Sequence, residues 1–287
     1  MLGDVTEAQD YAAWIGRSET RDDLLTQSIV DRFNATLDRD DPAAALGDAA
    51  PPLIHWLLFL PHERQSGLGP DGHAARGGFL PPVHHLPRRM WAGGRFRFAA
   101  PIRVGMALRR TSTIADVKAR TGATGELVFV TVRHDLTEAD GAPLLTEEHD
   151  IVYRSAATVA VKPPSEFPPQ GVWHRSLVPD ATLLFRYSAL TFNGHRIHYD
   201  RSYVTREEGY PGLIVHGPLV ATLLLDLVRR NRSEATLRSF AFRALSPMFD
   251  GSLLNLNGMP PDAEGRIALW ATNAEGGLTM RAEAVVA

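Results

Sequence analysis

The sequence predicts an α+β fold in which a long antiparallel sheet wraps a central helix, and it predicts that this unit is built twice. Three observations carry the prediction. A Pro-rich segment, KPPSEFPPQG, divides the 287 residues at 162–171 and cannot hold regular structure. The sequence on either side of it repeats one plan of alternating, β-branched-rich runs. A helical signal precedes those runs in each half.

In the first half the helical signal is DDLLTQSIVDRFNATL, with apolar residues at helical spacing. RFRFAAPIRVGMAL then leads to GELVFVTVRHDL and, past the turn pair Asp140-Gly141, to LLTEEHDIVY. In the second half the stretch from Gly217 to Arg230 is apolar around most of its circumference, so it is expected to be buried on nearly all sides. SFAFRALSPMFDGSLL, GRIALWATNA and, past Gly276-Gly277, LTMRAEAVV follow. In both halves a Phe-x-Phe pair precedes a proline standing four residues before a glycine, Pro101 to Gly105 and Pro247 to Gly251. The expected architecture is therefore a tandem (double) hotdog. Its halves are 1–161 and 172–287, joined by the linker 162–171.

Composition removes several function classes. The chain is 44% hydrophobic and 22% charged, as expected of a protein with a real core. Its formal charge is −3 and no long basic run appears, which argues against nucleic acid as a partner. The absence of cysteine excludes disulfides, thiolate metal sites and a cysteine nucleophile. MLGDVTEAQDYAAW is acidic and lacks an apolar core, unlike a secretory signal. The most apolar long stretch, Gly212 to Val228, is interrupted by His216, Gly217, Pro218 and Asp226, so a buried helix fits it better than a membrane span. A soluble cytoplasmic protein is expected.

The residues able to do chemistry gather in the second half. TFNGHRIHYD, residues 191–200, holds Asn193, His195, His198 and Asp200. Eighteen residues after His198 comes His216-Gly217, directly ahead of the apolar helix. A glycine there leaves its N–H open with the positive end of a helix dipole behind it, which suits a developing thioester enolate. A neutral imidazole nearby can move a proton at neutral pH. The spacing of His195, His198 and Asp200 also raises a metal site, but no further ligand cluster accompanies it. Asp71 and His73 lie in a glycine-rich loop and read as turn formers.

The pattern Tyr187-Ser188-Ala189-Leu190, Asn193-x-His195-x-x-His198-x-Asp200 and Ile214-Val215-His216-Gly217 resembles the hydratase motif of the MaoC-like hydratase/dehydratase family. The resemblance implies that His198 is the catalytic histidine and that the Gly217 N–H holds the thioester carbonyl. Asp200 matches the acid two residues after the histidine. The family's catalytic aspartate falls on Asn193, and its asparagine and proline fall on His195 and Arg196. This form is similar to a branch containing fungal 3-hydroxyacyl-thioester dehydratases and bacterial mesaconyl-C4-CoA hydratases. LGPDGHAARGGFLPPVHHLPRRMWAGG, residues 68–94, is similar to that branch's signature in the amino-terminal half.

The resemblance implies an acyl-CoA hydratase with no bound cofactor and no metal. The expected catalytic residues are His198, Asn193 and Gly217. His195, Arg196, His216, Arg88, Arg89 and Trp91 are expected to bind substrate. The resemblance implies mesaconyl-C4-CoA or itaconyl-CoA, either giving citramalyl-CoA, as the substrate; the free carboxylate would need a cation, for which Arg88, Arg89 and Arg196 are the candidates. A dehydratase of straight-chain 3-hydroxyacyl thioesters is the alternative. A non-catalytic acyl-thioester binder is the reading from another class. Monomer and homodimer both remain open.

Overall fold

The computed structural model describes residues 11–122, 125–155 and 164–287. Residues 1–10 of the amino-terminal stretch, and the expected boundary and linker start at 161–163, lie outside the described residues.

Strands β1 (Ser18–Leu24), β2 (Arg88–Phe98), β3 (Ala107–Gly122), β4 (Gly125–Glu138) and β5 (Pro143–Arg154) come from the first half of the sequence. The second half supplies β6 (Trp173–Leu177), β7 (Leu237–Ala244), β8 (Leu254–Gly258), β9 (Arg266–Thr272) and β10 (Leu278–Val286). They form one sheet in the order β1-β3-β4-β5-β2-β7-β10-β9-β8-β6. The order of the first five strands is thus repeated, mirrored, in the last five, and every pairing is antiparallel. Residues 164–171 carry neither helix nor strand.

The seam between the halves explains the twin Phe-x-Phe pairs. Phe96 of β2 stands directly opposite Phe240 of β7, and the rings of Phe96, Phe240 and Phe242 lie 5.8–6.3 Å apart. Such cross-strand aromatic contacts stabilise a sheet seam. Gly93 is required there, since a Cβ would press on the Phe242 carbonyl. The repeated glycines, Gly105 and Gly251, both have positive φ, 88° and 72°, and turn the chain after each proline.

The halves share helix unequally. Helix α4 (Gly217–Asn231) has every residue from Leu219 to Val228 buried. Asp226 is tolerated in that core because Arg39, Arg175 and Arg230 donate to its carboxylate at 2.6–3.1 Å. Helix α1 (Gln27–Thr36) is shorter, with one buried face, and it packs beside α2 (Ala181–Leu190). The helix expected over DDLLTQSIVDRFNATL therefore starts later. Asp22 to Leu24 belong to β1, where exposure alternates along SETRDDL and the backbone pairs with β3. A 3-10 turn, Ile54–Leu57, is buried between α1 and β2 in the sequence. Among the described residues no helix is long and apolar enough to cross a membrane.

Candidate active site

Asp180 caps α2 by accepting the Leu183 N–H at 2.8 Å. The helix stops where Phe192 takes a positive φ of 47° and the Asn193 N–H returns to the Ser188 carbonyl. Asn193 Oδ1 then accepts the His195 N–H at 3.0 Å, an Asx turn that aims the next residues inward. One 3-10 turn, Arg196–His198, follows. Asp200 then caps the short helix α3 (Arg201–Arg206) through the Tyr203 N–H.

His198 is buried, and its Nδ1 lies 2.7 Å from the Ile214 carbonyl. A carbonyl only accepts, so Nδ1 carries the proton and Nε2 keeps a free lone pair. Its ring stacks on His216 with centroids 3.6 Å apart and planes 17° apart. His216 in turn is fixed by Ser188 Oγ at 2.8 Å from its Nε2. Burial pushes the His198 pKa down to about 4, and the His216 pKa well below the ordinary imidazole value. Both rings are neutral at neutral pH, the state a base needs.

His216 is the N-cap of α4, so the stacked pair sits on the helix N-terminus. As the first residue of α4, Gly217 has no helical acceptor for its N–H, and Pro218 beside it carries no N–H of its own. A Cβ built on Gly217 meets nothing within 4 Å, so open space lies over that residue.

The first half supplies a facing wall. Asp71-Gly72-His73 packs against Asn193-Gly194-His195, two Asx-Gly-His triplets set glycine to glycine. A Cβ on Gly72 would overlap the Gly194 carbonyl, and one on Gly194 would come within 2.8 Å of the Gly72 carbonyl. The rings of His73 and His195 lie 4.0 Å apart, and His195 stands edge-on to His198 at 5.5 Å. Asp71 repeats the turn of Asn193, with Oδ1 accepting the His73 N–H at 3.1 Å, and its Oδ2 lies 3.0 Å from His73 Nδ1. Burial alone would raise the Asp71 carboxyl, but those bonds hold it well below the usual range. Burial and Arg89 depress His73, and burial with the neighbouring imidazoles brings His195 down to about 2.

The expected site residues divide into two sets. His198, His216, Gly217, His195 and Asn193 are brought together. Arg196 turns away: it forks onto Asp200 at 2.7 and 3.0 Å, donates to the Pro70 carbonyl and lies over the Tyr203 ring. Arg88 pairs with Glu208 at 3.2 Å. Trp91 stacks on His149 at 3.7 Å and meets Trp56 edge-on. Arg89 lies near His73 and His195 and lowers the pKa of both. His195, His198 and Asp200 do not converge as metal ligands, since His198 Nδ1 and Asp200 are committed elsewhere. Asp71, His73 and His195 bring ligand-type atoms within 4.8 Å of one another, but the adjacent Arg89 disfavours a cation. Asp71 and His73 do more than form a turn, because they build the wall of the site. The repeated triplet Asx-Gly-His was the signal in the sequence.

The family model for hydroxyacyl-thioester dehydratase type 2 matches residues 53–250. The chain belongs to the hydroxyacyl-thioester dehydratase type 2 family. It is 44% identical to the mesaconyl-C(4)-CoA hydratase of Chloroflexus aurantiacus, over 93% of this chain and 99% of that protein. A MaoC-like dehydratase from Phytophthora capsici superposes with a TM-score of 0.72 at 14% identity, covering 95% of each chain. A Mycobacterium tuberculosis protein described as having a double hotdog fold superposes at 0.60 with 13% identity, covering 95% of this chain and 96% of that one. The tandem hotdog expected from the repeats is therefore the fold. This member of the type 2 family is a hydratase/dehydratase.

Proposed function

We propose that this family member is a cytoplasmic hydratase of α,β-unsaturated acyl-CoA esters, with mesaconyl-C4-CoA or itaconyl-CoA as substrate and citramalyl-CoA as product. Residues 1–161 and 172–287 are its two hotdogs, and 162–171 is the linker between them. The observation that carries the reading is the open Nε2 of His198, on a ring stacked against His216, the residue that precedes Gly217 at the head of α4. The 44% identical hydratase supports the substrate class.

On mesaconyl-C4-CoA, whose double bond is conjugated with the thioester, His198 Nε2 takes a proton from water while the water oxygen bonds to the β-carbon. The π pair moves through the α-carbon onto the thioester oxygen, where the Gly217 N–H and the helix dipole stabilise it. The enolate then collapses, and the α-carbon takes the proton back from the His198 imidazolium. Water is added and His198 is neutral again. Asn193 shapes the turn that presents His195 and His198.

The test is turnover of crotonyl-CoA, mesaconyl-C4-CoA and itaconyl-CoA by the wild type and by His198→Ala. The branched dicarboxylyl esters are expected to be hydrated fastest. His198→Ala is expected to lower kcat by at least about a hundredfold, the scale of a lost acid–base group. Near-native turnover by folded His198→Ala would refute the mechanism. A preference for straight-chain 3-hydroxyacyl thioesters would replace the substrate.

A further inference from the structure

The cluster of basic groups beside the catalytic histidine contains guanidinium groups that no carboxylate balances among the described residues. Arg88 is held by Glu208 and Arg196 by Asp200. Arg89 has no carboxylate within ion-pair distance among the described residues. It is half-buried on β2, opposite Tyr153 of β5. It lies close enough to His73, His195 and His149 to depress all three. Burial keeps those imidazoles neutral, so they supply no negative charge. The nearby acid, Asp71, is already bonded by its own His73.

A second guanidinium, Arg76, adds to the excess and depresses His73 as well. Its donors are spent on the carbonyls of Val83, Leu86 and Pro87. Arg89 meets the Tyr153 hydroxyl, a neutral partner, and is thus the cation left with neither a carboxylate nor a set of carbonyls. Charges drawn out of water are normally paired, and a guanidinium fork matches a carboxylate in two parallel hydrogen bonds. A cation would be repelled here, and an apolar acyl tail would leave the charge unmet.

We infer that Arg89 forms an anion subsite that reads a carboxylate at the far end of the acyl group. The inference rests on the hydratase reading above and names the feature by which the site selects among thioesters. His195, with its ring 4.0 Å from His73 and 5.5 Å from His198, connects this subsite to the reacting centre. The substrate class it fits is a short unsaturated acyl thioester bearing a second, free carboxylate. The same chemistry could instead serve a phosphate of the coenzyme, and the two sources separate in one experiment.

Steady-state kinetics of Arg89→Gln and Arg89→Lys are measured on mesaconyl-C4-CoA and on crotonyl-CoA, which carry the same coenzyme but only one acyl carboxylate between them. Loss of a buried charge partner predicts a fall in kcat/KM of at least about thirtyfold for Arg89→Gln on mesaconyl-C4-CoA. A far smaller loss is expected on crotonyl-CoA, with Arg89→Lys between Gln and wild type on the carboxylated ester. Thermal unfolding of both variants confirms that they fold. Equal losses on the two esters would assign Arg89 to the coenzyme and overturn the inference, as would no loss on either. If the wild type itself does not prefer the carboxylated ester, the substrate reading fails first, and that outcome is visible before any variant is made.

Discussion

Acidification should unfold this protein through its histidines well before its carboxylates are all protonated. His198 and His134 are pushed down to about 4, His149 to about 3 and His195 to about 2, with burial the largest cause in each. A group whose folded pKa is depressed below the unfolded value of about 6.5 takes up its proton first in the unfolded chain. Stability is therefore complete above about pH 7 and is lost as the pH falls through about 6.5, the loss ending near each folded pKa. At about pH 5, integrating the linkage gives about 2 kcal/mol per histidine, and about 8 kcal/mol for the four if they act independently. That is of the order of the whole stability of an ordinary domain, about 5–15 kcal/mol. Glu147, bonded to His55 and Trp56 and held down to about 2, adds to the loss below about pH 4.5. Urea unfolding at about pH 8, 6 and 5 measures the effect, with a fall of at least about 4 kcal/mol expected between the extremes. Equal unfolding free energies at all three would mean that these rings are not buried neutral, and the proposed role of His198 as a base would go with them.

Substitutions at two positions probe the site itself. Gly217→Ala places a methyl in open space, so the protein should fold with unchanged or slightly higher Tm while kcat/KM falls at least about tenfold by obstruction of the carbonyl position; undiminished turnover would move the thioester elsewhere. Asn193→Asp keeps the acceptor for the His195 N–H, as Asp71 does in the facing loop, and should retain measurable hydration with an altered pH profile. Asn193→Leu loses the turn, at a cost of about 1 kcal/mol in stability, and should lose far more activity; Leu and Asp variants of equal activity would show that the turn does not aim His198.

The sheet and the buried helix were legible because their signals are local. Ten consecutive buried residues in α4 follow from an apolar circumference, and the Phe-x-Phe pairs announced strands even though their meeting at the seam could not be foreseen. The start of α1 was misplaced because SETRDDL alternates in exposure without alternating in hydrophobicity, so only its pairing with β3 marks it as a strand. In the site, His198, His216 and Gly217 lie within twenty residues of one another and could be read together. His73 is more than a hundred residues away and joins them only when Gly72 meets Gly194 across the fold. Choosing among Arg88, Arg89 and Arg196 depended on which carboxylates the fold brings near, which spacing does not encode.

The sheet continues unbroken from β2 to β7, so the two hotdogs travel in one polypeptide and are copied by one gene. In an assembly of identical subunits every substitution appears on both sides of the symmetry axis, and a change that helps one side must be tolerated by the other. Here each half mutates alone. The facing triplets record that freedom: the first-half copy carries an ionised acid at 71 and the second-half copy a neutral amide at 193, while α4 stands in the second half with no equal in the first among the described residues. On the proposed reading the duplicated fold holds one asymmetric active site, so titration with a tight-binding inhibitor should reach its end-point at one equivalent per chain.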